Sequence, residues 1–144
     1  MRTIADLYQT LSKVDFKQEV EIAFIDSSKT FVQLQKDQLL SGERSDGEAI
    51  FNLKTGSDEY SPSYAKKKGK KKPIDLRNKN DFYSGIFVDP RADGLVSDSA
   101  DSKSEMLQET YGKEIFGLNE ERQPKYGRAA ADSLIKNYRT KLKI

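Results

Sequence analysis

Apolar positions in the first forty residues recur at helical intervals. Ile4, Leu7, Tyr8 and Leu11 follow i, i+3, i+4, i+7 spacing, which predicts a helix over residues 3–13. Val20, Phe24, Phe31 and Leu34 continue the period and predict a longer helix over 16–40, with these residues as its buried stripe. Asp15 is placed to cap it, with Gln18 three residues on in a near capping box. Glu19 and Glu21 near its positive end and Lys36 near its negative end suit the macrodipole. Ser41-Gly42 is the predicted stop, because glycine enters the left-handed conformation at little cost.

The period then lapses. Asp46-Gly47 marks a turn, and Ile50, Phe51 and Leu53 predict a short strand. Ser61-Pro62 predicts the start of a short helix, since proline is tolerated in a first turn, with Tyr60, Tyr64 and Lys68 on one face. Lys66, Lys67, Lys68, Lys70, Lys71 and Lys72 surround Gly69; their mutual repulsion predicts a mobile, solvated loop within residues 61–80. Phe82, Ile86, Phe87 and Val88 form one arm of a predicted hairpin, and Leu95 and Val96 begin the return. Its turn is expected from Asp89-Pro90 to Asp93-Gly94. Residues 102–111 predict an amphipathic helix that stops at Gly112, followed by the apolar plug Ile115-Phe116-Gly117-Leu118. Asn119 opens a final helix over 120–142, with Ala131, Leu134, Ile135, Tyr138 and Leu142 on one face. Pro124 and Gly127 weaken its first turns, so its regular part is expected to begin later. The expected architecture is one α+β domain over 1–144: a long N-terminal helix and C-terminal helices packed on a small, mainly antiparallel sheet.

Composition narrows the chemistry. Hydrophobic residues are 35% of the 144 and charged residues 33%, so the core must be modest; seven Phe and seven Tyr residues keep the chain out of the disordered class. Net charge is +2, so any case for nucleic acid rests on local clustering. The absence of Cys removes disulfides and a thiol nucleophile, and the absence of His removes the commonest general base and metal ligand. No apolar run is long enough to span a bilayer, and the start Met1-Arg2-Thr3-Ile4-Ala5-Asp6 lacks a signal-peptide core. The expectation is an intracellularly made, soluble protein.

Asp93, Asp98 and Asp101 lie close in sequence, as acid/base pairs or hard-cation ligands do. Their spacing matches no EF-hand loop, and the expected role is a solvated turn plus a cap by Asp101 on the 102–111 helix. No phosphate loop, dinucleotide fingerprint or serine elbow occurs. No catalytic residue, metal ligand or cofactor is therefore assigned. The strongest charge signal is Lys66–Lys72, which would bind phosphates by counterion release, with Tyr60 and Tyr64 as stacking platforms.

Several blocks taken together carry a resemblance. They are Gln38-Leu39-Leu40-Ser41-Gly42, Ser45-Asp46-Gly47, Tyr60-Ser61-Pro62-Ser63-Tyr64-Ala65-Lys66, Pro73-Ile74-Asp75-Leu76, and Asp81-Phe82-Tyr83-Ser84-Gly85-Ile86-Phe87. With the Lys103…Leu107…Tyr111-Gly112…Ile115-Phe116-Gly117-Leu118 run, their order resembles small virion structural proteins of tailed bacteriophages, notably phages of Bacteroidetes. More remotely the layout is similar to tail-completion and neck proteins, although Lys79-Asn80 stands where that group carries Thr-Gly before a strand. The resemblance implies a non-enzymatic, ring-forming adaptor at the head–tail connector, in the virion and assembled in the host cytoplasm. Its partners would be copies of itself, neighbouring connector, portal or tail proteins, and packaged DNA without sequence preference. Tyr111, Ile115, Phe116 and Leu118 are the expected protein interface. A nucleic-acid-binding module built on Lys66–Lys72 is the alternative; a carboxylate-metal hydrolase is disfavoured by the missing histidine.

Overall fold

Local signals start most of the helices. The computed structural model describes residues 3–78, 80–91 and 94–144. Helix α1 (Ile4–Ser12) begins with a reciprocal cap: Thr3 Oγ1 accepts from the Asp6 N–H, and Asp6 accepts from the Thr3 N–H, both at 3.1 Å. Helix α2 (Phe16–Asp26) is capped by Asp15, which accepts from the Gln18 N–H at 3.3 Å.

The single helix expected over 16–40 is two helices. Ser27 interrupts it and α3 runs over Ser28–Leu40. The Ser27 hydroxyl donates to the Ala23 carbonyl at 2.7 Å, so its side chain competes with the helical ladder where the chain bends. Of the expected stripe, Phe31 is interior, whereas Val20, Phe24 and Leu34 are half-buried. The most buried positions of α3 are instead Leu39 and two glutamines, Gln35 and Gln38. The helix stops as expected: Gly42 has φ +72°, and a Cβ there would stand 2.2 Å from the Pro73 Cβ. Glycine is thus required both for the turn and for the close approach of Pro73.

Asp46-Gly47 turns the chain, with Asp46 accepting from the Glu48 N–H at 3.0 Å. The strand expected at Ile50–Leu53 does not form; the segment is irregular, and Ile50 instead donates its N–H to the Gly42 carbonyl. Helix α4 (Pro62–Lys68) carries Pro62 in its first turn. A short helix, α5 (Asp81–Ser84), holds Phe82 and Tyr83, so Phe82 is not part of the hairpin. The hairpin pairs β1 (Ile86–Arg91) with β2 (Gly94–Ser99), antiparallel, with Ile86 opposite Ser99 and Pro90 opposite Leu95. Asp89 and Pro90 lie in the strand rather than the turn; Asp93 lies outside the described residues. Helix α6 (Ser104–Tyr111), a 3-10 turn (Lys113–Ile115) and α7 (Gln123–Leu142) complete the chain.

Helix α7 begins at Gln123, later than 120 as expected, with Pro124 in its first turn, where its missing N–H costs nothing, and it continues through Gly127 without a break. Its buried side is Tyr126 and Ala130; Ala131 and Ile135 face solvent, and Leu134, Tyr138 and Leu142 are half-buried. The architecture is α+β, with the helices gathered around one small antiparallel sheet. Helix α3 bridges two apolar clusters. Its N-terminal half places Phe31 with Leu118, Tyr126 and Ala130, and its C-terminal half places Leu39 with Ile50, Ile74, Phe82, Ile86 and Ile115.

Candidate functional site

The chain after α6 is held by side chains of α3. Gln35 donates to the Ile115 carbonyl (3.1 Å) and accepts from the Gly117 N–H (2.8 Å). One turn along, Gln38 donates to the Gly117 carbonyl (2.8 Å) and accepts from the Asn119 N–H (2.8 Å). Two amides three residues apart on a helix thus pair with alternate residues of an extended segment, as a neighbouring strand would. Gly117 takes φ +96° at the centre of this clamp. Asn119 in turn accepts from the Arg122 N–H (3.2 Å) and donates to Glu43 (2.8 Å), launching the turn into α7.

The clamp fixes the fate of the expected interface. Ile115 and Leu118 point inward and are buried in the two clusters. Phe116 is half-buried, with its ring centroid 5.8 Å from that of Phe82. These residues serve the chain's own core, not an exposed patch, because the glutamines set the backbone register that turns them in. Tyr111 goes elsewhere. It is half-buried, burial raises its phenol pKa, and it forms one wall of a surface cleft.

That cleft, of about 1240 Å³, lies between α4, the 69–78 segment and α6. Tyr60, Tyr64, Ile74, Leu76, Leu107 and Tyr111 give it an apolar trough, and Lys66, Lys70, Lys71 and Lys103, with Glu59, Asp81 and Asp101, a charged edge of mixed sign. Sequence reading named Tyr111 and the lysines as separate sites; here they share one surface. Lys67, Lys68 and Lys72 do not line it.

Beneath the lysine edge sits a carboxylate that sequence reading passed over. Asp75 is buried, and its two oxygens meet Lys68 Nζ at 2.5 Å and Lys70 Nζ at 2.6 Å. It also accepts from the Tyr60 hydroxyl and the Arg77 N–H, each at 3.0 Å. Lys68 donates further to the Arg77 carbonyl (2.6 Å) and lies 4.8 Å from the centre of the Tyr60 ring. Burial alone would favour the neutral acid, but hydrogen bonds from Lys68, Lys70 and the Arg77 N–H outweigh it and bring the Asp75 pKa down to about 2. Burial likewise works against the charge of Lys68, and its bonds to Asp75 and Tyr60 raise its pKa regardless. Tyr83, donating to the Asp75 carbonyl at 2.5 Å, is pushed well up by burial and by the Asp75 charge. The backbone pays for this wrap, since Leu76 is held at φ +60°.

The segment expected as a solvated loop is therefore helical through Lys68, and two of its six lysines are anchored on Asp75. A signal existed in the sequence. Asp75 is the only acidic residue between Glu59 and Asp81, beside the densest positive charge in the chain. The expected shared face of Tyr60, Tyr64 and Lys68 is present, with the two tyrosine rings 5.0 Å apart.

Asp98 and Asp101 are occupied by local bonds. Asp98 accepts from the Ser104 hydroxyl at 2.7 Å and from Gln108 at 3.4 Å, tying β2 to α6. Asp101 accepts from the Lys103 N–H at 2.7 Å, one residue before α6 begins. Among the described residues, no three His, Cys, Asp or Glu side chains converge as a metal site would require. In comparisons with protein-family models, curated proteins and solved structures, the chain matches none. Among the described residues, no helix is long and apolar enough to cross a membrane.

Proposed function

We propose that this chain is a non-enzymatic structural subunit that assembles with copies of itself, as a ring-forming adaptor or tail-completion protein at the head–tail connector of a tailed-phage virion. The observation that carries the assembly reading is the apolar surface at the α1 end. Ile4 is 86% exposed and Tyr8 72% exposed, and Leu11, Phe16 and Ile25 are exposed near them in sequence. No residue of α1 is buried. A polar chain that leaves its large apolar side chains together in water has a surface suited to a protein partner. The phage assignment rests on the sequence resemblance, whose blocks map onto the α3 stop, the α4 start, the Asp75 wrap and the clamped segment. The cleft supports binding rather than turnover, because Asp75, Lys68 and Tyr60 are committed to one another.

Light scattering and electron microscopy of the purified protein test this reading. Closed rings, or a defined oligomer at micromolar concentration, are expected. A monomer at several hundred micromolar would reject self-assembly.

A second reading, non-specific DNA contact, is supported by Lys66, Lys67, Lys71 and Lys72. Among the described residues none of the four has a salt-bridge partner, unlike Lys68 and Lys70. Binding of duplex DNA should weaken with salt at a slope of about 0.9 per phosphate contacted, and replacing these four lysines should reduce that slope. Salt-independent or absent binding by the assembled protein would reject the DNA contact.

A further inference from the structure

The sheet has two strands, so each strand has an outer edge. The Ala100 N–H donates to the Gly85 carbonyl at 2.9 Å, which makes this pair, next after Ile86 and Ser99, a hydrogen-bonded one. Bonded and non-bonded pairs alternate along an antiparallel ladder. The N–H and C=O groups of Phe87 and Asp89 therefore point to β2, and those of Ile86 and Val88 point away from it. Pro90, which has no N–H, falls in the same outward phase. Among the described residues, the outward groups of Ile86 and Val88 have no hydrogen-bond partner. We propose that this edge docks an extended, acidic peptide segment of a partner protein, which adds to β1 as a third strand. The inference is independent of the self-assembly reading above.

The edge opens onto a groove of about 340 Å³, lined by Ile86, Phe87 and Val88 of β1 and by residues of α3 that include Lys29, Val32 and Lys36. Side chains alternate between the two faces of a strand, so a groove that touches three consecutive residues follows the strand's edge. A strand added there would lie between β1 and α3. The four free groups of Ile86 and Val88 are two donors and two acceptors. Another extended main chain satisfies both kinds, whereas a phosphate backbone, which only accepts, does not. Strand addition to an open sheet edge is a recurring mode of peptide recognition. Phe87, 43% exposed, offers the added strand apolar contact on the outer face of the sheet.

Charge specifies the segment. Among the described residues, the groove is lined by Lys29 and Lys36 and by no carboxylate, and neither lysine has a salt-bridge partner. Two carboxylates adjoin the lining in sequence but do not line it. Asp37 accepts from Gln33 at 2.9 Å, and Asp89 follows Val88 on the exposed face of β1. Val32 stands between the two lysines on one face of α3. The segment that fits therefore turns an apolar residue toward α3, with carboxylates at the alternate positions beside it. A second copy paired β1 to β1 would bring both lysine pairs to one seam, where like charges oppose the contact. Pro90 ends the free ladder and keeps the docked stretch short.

The test selects short random peptides on the full-length protein. Enriched peptides should carry acidic residues on either side of an apolar one. The tightest is then synthesised with alternate amides N-methylated. Methylation in one register should abolish binding, and in the other should change it less than about threefold, because only one set of amides faces β1. Lys29→Glu with Lys36→Glu should weaken binding about tenfold, with circular dichroism confirming the fold. In the free protein the Val88 N–H should exchange faster than those of Phe87 and Asp89, and on binding it should slow at least roughly tenfold. Several results would overturn the proposal: no enriched peptide, enrichment without acidic residues, or equal loss in both methylation registers. So would binding indifferent to the lysine variant, or a Val88 N–H that is slow from the start or unchanged by peptide. A wild-type dimer that protects the Val88 N–H without peptide would assign the edge to a second copy and also overturn it.

Discussion

Polarity is distributed in opposite ways at the centre of the molecule and at its α1 end. At the centre, Gln35 and Gln38 are fully buried, and each makes two hydrogen bonds to backbone that would otherwise be unpaired. At the α1 end, Ile4, Tyr8 and Leu11 stand in water on a well-capped helix. Burial here follows the demand for hydrogen-bond partners at least as much as hydrophobicity. An extended segment crossing a helix brings N–H and C=O groups that apolar side chains cannot satisfy, so the helix supplies amides. Helix α1, whose backbone pairs within itself, makes no such demand, and its Ile4, Tyr8 and Leu11 stay exposed.

Breaking the clamp should have the largest effect. Gln35→Leu with Gln38→Leu keeps bulk but leaves four backbone groups unpaired, at Ile115, Gly117 and Asn119. At about 1–3 kcal/mol each, the loss is on the order of 5 kcal/mol. Urea titration should show the double variant at or beyond the limit of folding. A loss below ~1 kcal/mol would mean that water replaces the glutamines and that the centre is not organised by them.

Next comes the apolar side of the same segment. Ile115→Ala should cost about 4 kcal/mol, as a fully buried truncation does, while Ile4→Ala at the other pole should cost less than ~0.5 kcal/mol in the monomer. Equal costs at the two positions would abolish the contrast between them.

Asp75 sharpens the comparison, since it is a second buried polar anchor. Asp75→Asn should destabilise by about 3 kcal/mol at neutral pH, because Lys68 and Lys70 lose their counter-charge. The folded pKa of about 2 lies below the ordinary value of 3.8. Its stabilisation is therefore complete above the unfolded value and is lost as pH falls through the folded one. Between pH 4 and pH 2 the wild type should lose roughly 2 kcal/mol from this group, and the Asn variant should lack that component. Acid unfolding curves that coincide would show that another carboxylate sets the acid limit.

The smallest effect is expected at the lysines without anchors. Replacing Lys66, Lys67, Lys71 and Lys72 with Ser should move stability by less than about 0.5 kcal/mol, in contrast to Lys68→Ser, which leaves buried Asp75 with Lys70 as its remaining cation. A thermal melt that separates the two variants would confirm that the lysine run divides into an anchored pair and a solvated remainder.

Sequence alone determined what is local. The Asp15 cap, the Gly42 stop, the Pro62 start, the β1–β2 hairpin pairing and the α+β class were legible because capping, turn chemistry and periodicity act over a few residues. Tertiary structure decided the rest. The clamp joins residues 79–82 apart in sequence, and neither partner looks unusual by itself. Glutamine reads as surface until an extended backbone is laid against it, so the inward turn of Ile115 and Leu118 could not be read from their own run. The lysine segment was misjudged for a related reason: six like charges repel until one carboxylate, folded beneath them from Asp75, pairs with two. The cleft has the same origin, since Tyr60 and Tyr64 meet Tyr111 only after the 69–78 segment has wrapped Asp75 and brought α4 to face α6. Hydrogen bonds and ion pairs between distant residues carry no periodicity, and only the folded chain shows which of its polar groups they join.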